Sequence, residues 1–475
     1  MTRPRPMSGF PEWLPAQRMI EQRVIDSLRS TFELHGFAPI ETRSVEPLDQ
    51  LLRKGETSKE VYTLHRLQAE ATPDGADDAT GPGLGLHFDL TVPFARYVLE
   101  NAGKLQFPLR RYQIQKAWRG ERPQEGRYRE FTQADIDVVG LDTLPFHHEA
   151  ELPLVVQEAL SGLPIPPLQV HANNRKLAEG FYRGLGLDEP DVVLRTVDKL
   201  DKVGAAGVHK LLLADGLTDK QAGACLALAE IVTEDGSFAD RVRALGVKHE
   251  LLDEGIEQLT RVVETARAQQ PGFLVADLRI ARGLDYYTGT VYESFLLGHE
   301  GLGSVCSGGR YDTLATAGDT TYPGVGMSIG VTRLLSRLFG RDLLRISRSV
   351  PTCVLVALPD EESRPACNAI AAALRGRGIA SEVAPEPVKY GKQIRYADRR
   401  GIPYVWFPPA QRRGSEAEVE AQRLGSEAEV EAQRLGSEAS LASVRDIRSG
   451  EQVPADPATW MPAADAVLPT VSAAD

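Results

Sequence analysis

The stretch from Phe107 to Gly140, FPLRRYQIQKAWRGERPQEGRYREFTQADIDVVG, constrains this chain more than any other. Strand-like runs at Arg110–Trp118 and Phe131–Val139 flank a turn rich in glycine and proline, which predicts a long antiparallel hairpin. Charged residues on a hairpin can simply face solvent, but here they are concentrated. Between Arg110 and Gln133 there are seven Lys or Arg and three Glu, a local charge of +4 in a chain of net charge −12. Arg119, Arg122, Arg127 and Arg129 crowd the turn itself. Guanidinium forks grip phosphate oxygens in pairs, so the turn points to a polyanionic substrate.

The rest of the chain supplies a mixed setting for that hairpin. At 42% hydrophobic and 25% charged residues, the composition is globular and excludes disorder throughout or a fibrous repeat. Its 475 residues allow roughly three domains at about 150 residues each. From Ala16 to Gly36, apolar Ile20, Val24, Leu28 and Phe32 recur every four residues and predict an amphipathic helix. Phe37–Pro47 reads as extended, and further strand-like runs lie at Gly85–Phe94, Leu274–Ile280, Thr290–Leu296 and Gly303–Cys306. Residues from Asp191 to Gln270 carry helical periods without strand signals and predict a helical insertion. Gly324–Leu338 reads as a strand running into a helix. Beyond it, Val354–Leu358, a helix over Ala366–Gly376, Ser381–Val383 and Tyr404–Phe407 alternate as a small separate α/β domain.

Several classes are disfavoured. No run of about 18 apolar residues exists to span a membrane, and Arg3 and Arg5 are followed by no apolar stretch of a secretory signal. Cys225, Cys306, Cys353 and Cys367 form no CxxC pair, which argues against a disulfide framework or zinc site and for the reducing cytoplasm. The nine histidines form no HxxxH or HExxH arrangement, and His147–His148 reads as a surface pair, so no metal site is expected. A direct repeat, GSEAEVEAQRL, occupies 414–424 and 425–435 with a fragment to 439. Two copies are too few for a solenoid, and the repeat reads as a tandem expansion forming a solvated helical or disordered loop without function.

Taken together, the hairpin and four further stretches resemble the class II aminoacyl-tRNA synthetase family. Arg119-Gly120-Glu121, a loop, then Arg129-Glu130-Phe131 resembles its motif 2; Pro47 resembles motif 1; GVGMSIGVTRL at Gly324–Leu334 resembles motif 3. ARGLDYYTGTVYE at Ala281–Glu293 and SVCSGGRYDTL at Ser304–Leu314 narrow the resemblance to the histidyl-tRNA synthetases. It implies an α+β fold, with a class II catalytic core on an antiparallel sheet flanked by helices. That core would span residues 1–190 (motifs 1 and 2) and 273–345 (histidine stretches and motif 3), interrupted by a helical insertion at 191–272. A small α/β anticodon-binding domain would follow at 350–475, carrying the repeat insertion at 414–439.

The resemblance also implies roles. Joining a carboxylate to the α-phosphate of ATP builds negative charge on that phosphate, and fixed cations stabilise it without a general base. Arg119 and Arg282 would be those catalytic cations; the ordinary alternative for Arg282 is an ion pair with Asp285. Phe131 would stack on adenine, Arg333 would cover its other face, and Glu121 would accept from the adenine amino group. Asp89, Thr91 and Gln133 fit the histidine ammonium, while Asp137 and Tyr287 fit the imidazole. Tyr286 is counted with them, although it and Tyr311 serve equally as packing residues. Part of the family has Glu-Gly-Thr where this chain has Asp89-Leu90-Thr91, which changes the reach of the carboxylate slightly. Pairing both ring nitrogens penalises smaller or apolar amino acids, which would leave the site's own groups unsatisfied. Gly308 and Gly309 would let the backbone approach the ligand. Magnesium would arrive with the ATP phosphates rather than in a dedicated cage, with no tightly bound cofactor.

The C-terminal block carries its own signal. Between Pro385 and Arg413 there are seven Lys or Arg and two acids, with Tyr390, Tyr396, Tyr404 and Trp406 interleaved. Basic and aromatic residues together suit the unstacked bases of a single-stranded loop, and the resemblance makes Lys389, Arg399 and Arg400 candidates to bind tRNA. The extra 5′ guanosine of a histidine-specific tRNA would meet the motif 2 loop at Arg122 or Gln124. The partners implied are L-histidine, ATP, tRNA(His) and, through the extended Phe37–Pro47 segment, a second copy of the chain. Two other readings compete: a non-catalytic, histidine-binding regulatory subunit of ATP phosphoribosyltransferase, and a tRNA-sensing regulatory module. The first tends to lose the catalytic arginines and the C-terminal domain, and the second needs an attached effector domain.

Overall fold

The computed structural model describes residues 5–52, 60–65, 83–280, 286–409 and 442–474. Two compact units emerge, Met1–Glu12 with Glu21–Leu343 and Trp13–Ile20 with Leu344–Asp475. The helix predicted near the N-terminus is α1 (Pro15–Leu34), and its stripe Ile20, Val24, Leu28 and Phe32 is buried.

The larger unit is organised by a nine-stranded, mostly antiparallel sheet. In chain order its strands are β1 (Ala38–Pro39), β2 (Leu109–Trp118), β3 (Glu130–Val139), β4 (Leu168–Asn174), β5 (Val232–Thr233), β6 (Leu274–Asp277), β7 (Thr290–Leu296), β8 (Cys306–Tyr311) and β9 (Gly324–Gly330). Across the sheet they run β1-β2-β3-β9-β8-β7-β4-β6-β5; only β1/β2 and β4/β6 pair in parallel. The predicted hairpin is β2 and β3, ten residues each and paired throughout from Leu109↔Val139 to Trp118↔Glu130. Its turn tightens between Gln124 and Arg127, whose backbones bond reciprocally at 3.2 and 2.8 Å. Gly126 between them adopts φ +72°, a left-handed conformation costly for a residue with a Cβ.

Three local expectations are corrected. Gly85–Phe94 is not one strand: a three-residue strand, Leu84–Leu86, ends before helix α2 (Thr91–Asn101). The Val92 amide donates to Asp89 Oδ1 at 3.0 Å, and Pro93 sits in the first turn, where its missing N–H costs nothing. The strand expected at Gly303–Cys306 begins only at Cys306. Within the predicted helical insertion, helices Pro190–Val197, Leu200–Ala214, Asp219–Ala229 and Phe238–Ala244 are joined by the short β5, which pairs with β6.

Helices α3 (His147–Ser161), α4 (Arg175–Gly184) and α5 (Glu250–Gln269) belong to the same unit, as does α6 (Val331–Gly340), which follows β9 directly. The smaller unit holds a five-stranded sheet in the order β11-β10-β12-β13-β14: β10 (Val354–Val356), β11 (Ser381–Val383), β12 (Tyr404–Phe407), β13 (Ser443–Asp446) and β14 (Gln452–Pro454). Its first three strands are parallel, linked through α7 (Arg364–Gly376) and α8 (Tyr390–Arg400) as the β-α-β alternation predicts. Among the described residues no helix is long and apolar enough to cross a membrane. The repeat at 414–439 lies outside the described residues.

Candidate functional site

Strand β3 builds the site. Because side chains alternate along a strand, Phe131, Gln133, Asp135 and Asp137 share one face, at about 7 Å per pair of residues. Two adjoining cavities lie over that face. One, of about 100 Å³, is lined by Asp89, Thr91, Gln133, Asp137, Tyr286 and Tyr287, with Asp135 and Tyr311 also in its wall. The other, of about 330 Å³, is lined by Arg119, Glu121, Phe131 and Arg333, with Glu60 and Arg127. Arg119, Gln133, Ser307 and Ser328 border both.

The smaller cavity is acidic and polar. Asp89 reaches it from the residues before α2 and uses one oxygen to fix that helix's first turn. Gln133 Nε2 donates to Ser328 Oγ at 2.6 Å, while its Oε1 is buried without a hydrogen-bond partner. Asp137 is held on both sides: Arg111 Nη2 lies 2.6 Å from Oδ2, and the Tyr311 hydroxyl donates to Oδ1 at 2.7 Å. Arg111 is wholly buried, its guanidinium 4.2 Å from the centre of the Phe94 ring. Gly326 on β9 stands against this pair, where an added Cβ would come within 2.0 Å of Asp137 Oδ1. Tyr286 and Tyr287 pack ring to ring at 4.2 Å, and burial pushes the Tyr286 phenol up, which keeps it neutral.

Asp135 is the ionisable group that sequence reasoning missed. It is 2% exposed, and burial, followed by the neighbouring Asp137 and Asp89 carboxylates, pushes its carboxyl up to about 7 against the pull of Arg111 and Ser328. Its position between Gln133 and Asp137 in a period-two pattern was the available signal. Ser328 and Tyr311 also line the cavity; Tyr311 proves a hydrogen-bond partner of Asp137 rather than packing alone.

The larger cavity is where cations gather. Arg119 Nε donates to the Phe88 carbonyl at 3.0 Å, which aims the guanidinium to 5.1 Å from the Phe131 ring centre. Glu121 lies 3.4 Å from Arg127 and 3.8 Å from Arg119. Glu60 is raised by burial and by Glu121, with Arg119 and Arg127 opposing. Arg333 enters from the first turn of α6. Arg122 and Gln124 are exposed on the hairpin turn. Arg282 lies outside the described residues.

Gly308 and Gly309 serve a different purpose from the ligand approach expected of them. A Cβ on Gly308 would meet the Gly326 carbonyl at 2.2 Å, and one on Gly309 the Thr290 carbonyl at 2.8 Å and the Tyr287 ring at 2.9 Å. They let neighbouring strands and Tyr287 close up. The following Arg310 is structural too, donating to Glu149 and Asp312 at 2.9 Å each.

His147–His148 is not the expected surface pair, since His148 is buried. His147, His148 and Glu151 bring possible metal-ligating atoms within 4.8 Å of one another, but Arg110 already grips both Glu151 oxygens at 2.9 and 2.7 Å.

In the smaller unit Lys389 and Arg399 are exposed along α8, with Lys392 and Arg395 on the same exposed side. Gln393 anchors the helix, exchanging bonds of 2.9 and 2.8 Å with the Leu358 backbone. Arg400 turns inward to Glu382 at 2.9 Å and stacks 4.8 Å from the Tyr396 ring. The interleaved aromatics are not all available to bases: Trp406 is fully buried and Tyr404 is 6% exposed, while Tyr390 is 40% exposed.

An antiparallel sheet that seats an acidic cavity against an arginine-lined one, through an arginine-rich hairpin, is the catalytic core of a class II aminoacyl-tRNA synthetase. Residues 9–334 match the family model described as histidyl-tRNA synthetase, and residues 352–407 match an anticodon binding domain. The chain belongs to the histidyl-tRNA synthetase family. It is 56% identical to a histidine–tRNA ligase of Micrococcus luteus, over all of both chains. It is 55% identical to one of Cutibacterium acnes, over 99% of each. The crystal structure of histidyl-tRNA synthetase from Nostoc sp. PCC 7120 superposes with a TM-score of 0.80 at 33% identity, covering 96% of this chain and 97% of that one. A Bacillus halodurans structure described as an ATP phosphoribosyltransferase regulatory subunit/histidyl-tRNA synthetase shares the fold at 19% identity and TM-score 0.66, covering 80% of this chain and 92% of that one.

Proposed function

We propose that this chain is a histidine–tRNA ligase, which activates L-histidine with ATP to histidyl-adenylate and then transfers it to the 3′ end of tRNA(His). The observation that carries the reading is the pair of adjoining cavities on one face of β3, with Arg119 at their boundary. The acidic cavity suits the amino acid: Asp89, Thr91 and Gln133 take the ammonium, and Asp137, Tyr286 and Tyr287 surround the ring. The arginine-lined cavity suits ATP, with Phe131 and Arg333 on the two faces of adenine and Glu121 at its amino group. A histidine carboxylate extending from the first cavity meets the α-phosphate beside Arg119, whose fixed charge stabilises the transition state without reorganising. Arg282 joins it as the second cation. Magnesium accompanies the ATP phosphates as part of that substrate. Arg122 and Gln124 meet the tRNA acceptor end, and Lys389, Arg399 and Arg400 the anticodon loop. A homodimer acting in the cytoplasm completes the reading, and light scattering measures the dimer.

Histidine-dependent ATP–pyrophosphate exchange is the decisive measurement. Exchange is expected with the full chain. A folded protein that binds histidine but gives no exchange would fit the regulatory-subunit reading instead, which the matched anticodon binding domain and the presence of Arg119 and Arg333 disfavour.

A further inference from the structure

The turn of the β2–β3 hairpin is closed by its own backbone, through the reciprocal bonds of Gln124 and Arg127. At its base the Gly9 carbonyl accepts the Arg129 and Glu130 amides at 2.7 and 3.1 Å. These bonds shape the turn, but its tip is set against the rest of the larger cavity by helix α6. Thr332 Oγ1 accepts the Thr132 amide at 2.8 Å, which fixes the start of that helix beside Phe131. Arg333, the next residue, lines the larger cavity. Arg337 follows one helical turn later on the same side, and its Nη2 donates to the Glu125 carbonyl of the hairpin turn at 3.2 Å. Its Nε is buried without a hydrogen-bond partner. That nitrogen lies against Gly126, where an added Cβ would collide with it and stand 2.8 Å from Cζ and Nη2. Burial, then the like charges of Arg341 and Arg127, draw the guanidinium below the usual arginine range, against the pull of Glu125 and Tyr128. A dry Nε and a crowded charge oppose stability, and what the contact adds is a fixed spacing between α6 and the turn.

Resting on the ligase reading above, we propose that Arg337 is a positioning residue for ATP, holding the hairpin turn at a set distance from α6 through the Glu125 carbonyl and Gly126. Gly126 and Arg127 line the larger cavity from the turn, and Arg333 lines it from the helix. A turn released from Arg337 therefore carries its share of the nucleotide contacts away from Arg333. The role uses the guanidinium as a donor and a packing surface, and it requires no contact between Arg337 and ATP.

The test uses the full chain in pyrophosphate exchange without tRNA, comparing wild type with Arg337→Ala, Arg337→Gln, Gly126→Ala and the double variant Arg337→Ala/Gly126→Ala. Loss of one hydrogen bond with its packing predicts a KM for ATP raised roughly 3- to 15-fold in Arg337→Ala. The kcat and the histidine KM stay within about twofold, and the denaturant midpoint does not move. Arg337→Gln keeps an N–H donor without the charge and recovers roughly half of the loss on a logarithmic scale. In the double variant the rise falls short of the product of the two single rises, because both act on one contact. An unchanged KM for ATP overturns the proposal, as does a double variant whose rise equals that product. If Arg337→Gln is as impaired as Arg337→Ala, the charge itself is the working part and the positioning role fails. A midpoint that falls along with ATP affinity makes the residue a part of the fold and also overturns it. If wild-type protein gives no exchange, the ligase reading fails, and calorimetry of magnesium-ATP binding to wild type and Arg337→Ala decides the role of Arg337 by the same ratio. A wild type that binds no ATP overturns both.

Discussion

The β3 face and the exposed side of α8 both concentrate ionisable groups, but they place them in opposite surroundings. On β3 the carboxylates are nearly dry, and each carries a specific consequence: Asp137 is locked to a fully buried arginine, and Asp135 is pushed up to about 7 by burial. On α8, Lys389, Lys392, Arg395 and Arg399 stand in water, where each charge is screened within about 8–10 Å at ordinary salt. The first arrangement suits selection of a small ligand through individual atoms, at a cost to stability. The second suits a long-range attraction for an extended polyanion and costs the fold little. The comparison can be broken at three strengths.

The largest effect is expected from Arg111→Met. It strands Asp137 as a buried, uncompensated carboxylate, and breaking such a pair costs about 3–5 kcal/mol. Denaturant titration should show that loss, together with weakened histidine binding; a change below about 1 kcal/mol would mean that water reaches Asp137 freely.

Asp135→Asn should have an intermediate effect of opposite sign. Its carboxyl is raised from 3.8 to about 7, so between those values the folded protein binds more protons than the unfolded chain, and stability falls as pH rises. The full difference corresponds to on the order of 4 kcal/mol above pH 7, an upper bound for a site that can relax. Asparagine removes this titration. The variant is therefore expected to match wild type near pH 4 and to exceed it increasingly up to pH 8, as followed by its unfolding midpoint. A constant offset across that range would contradict the desolvated state of the carboxylate.

The smallest effect on stability is expected on α8. Lys392→Ala should change stability by no more than about 0.5 kcal/mol. It should weaken tRNA binding and reduce the slope of log affinity against log salt by about 0.7, the value for one single-strand phosphate contact. An unchanged slope would remove Lys392 from the RNA-facing surface.

Much of this division was legible beforehand, for reasons tied to particular residues. The β2–β3 hairpin follows from alternation and turn chemistry, both local properties, and its arginines gather where their sequence positions suggested. Asp135 was harder to see, although it lies two residues from Gln133 and two from Asp137. Its surroundings are set by Gln113, which gives its amide donors to Thr42, 71 positions away in the chain, and to Gln115, and by the hydroxyl of Ser328 from a third strand. Gly308 and Gly309 misled in a similar way. A glycine pair suggests approach by a ligand, whereas the approaching groups are the protein's own carbonyls and the Tyr287 ring. On the C-terminal side, tyrosine and tryptophan among basic residues suggested stacking platforms. Tertiary packing covers β12 on both faces, and that placed Trp406 inside.

The shared face of β3 has a consequence for how such an enzyme can change. Phe131 and Asp137 are six residues apart on one strand, about 20 Å by strand pitch, and line different cavities, so the proposed nucleotide and amino-acid contacts occupy separate positions on a fixed ruler. On the proposed reading, a substitution at 137 is expected to alter the preferred amino acid while leaving the adenine end untouched, and one at 131 to do the reverse. A one-residue insertion anywhere in β3 has no such freedom. Unless a bulge absorbed it, it would turn part of the row to the opposite face.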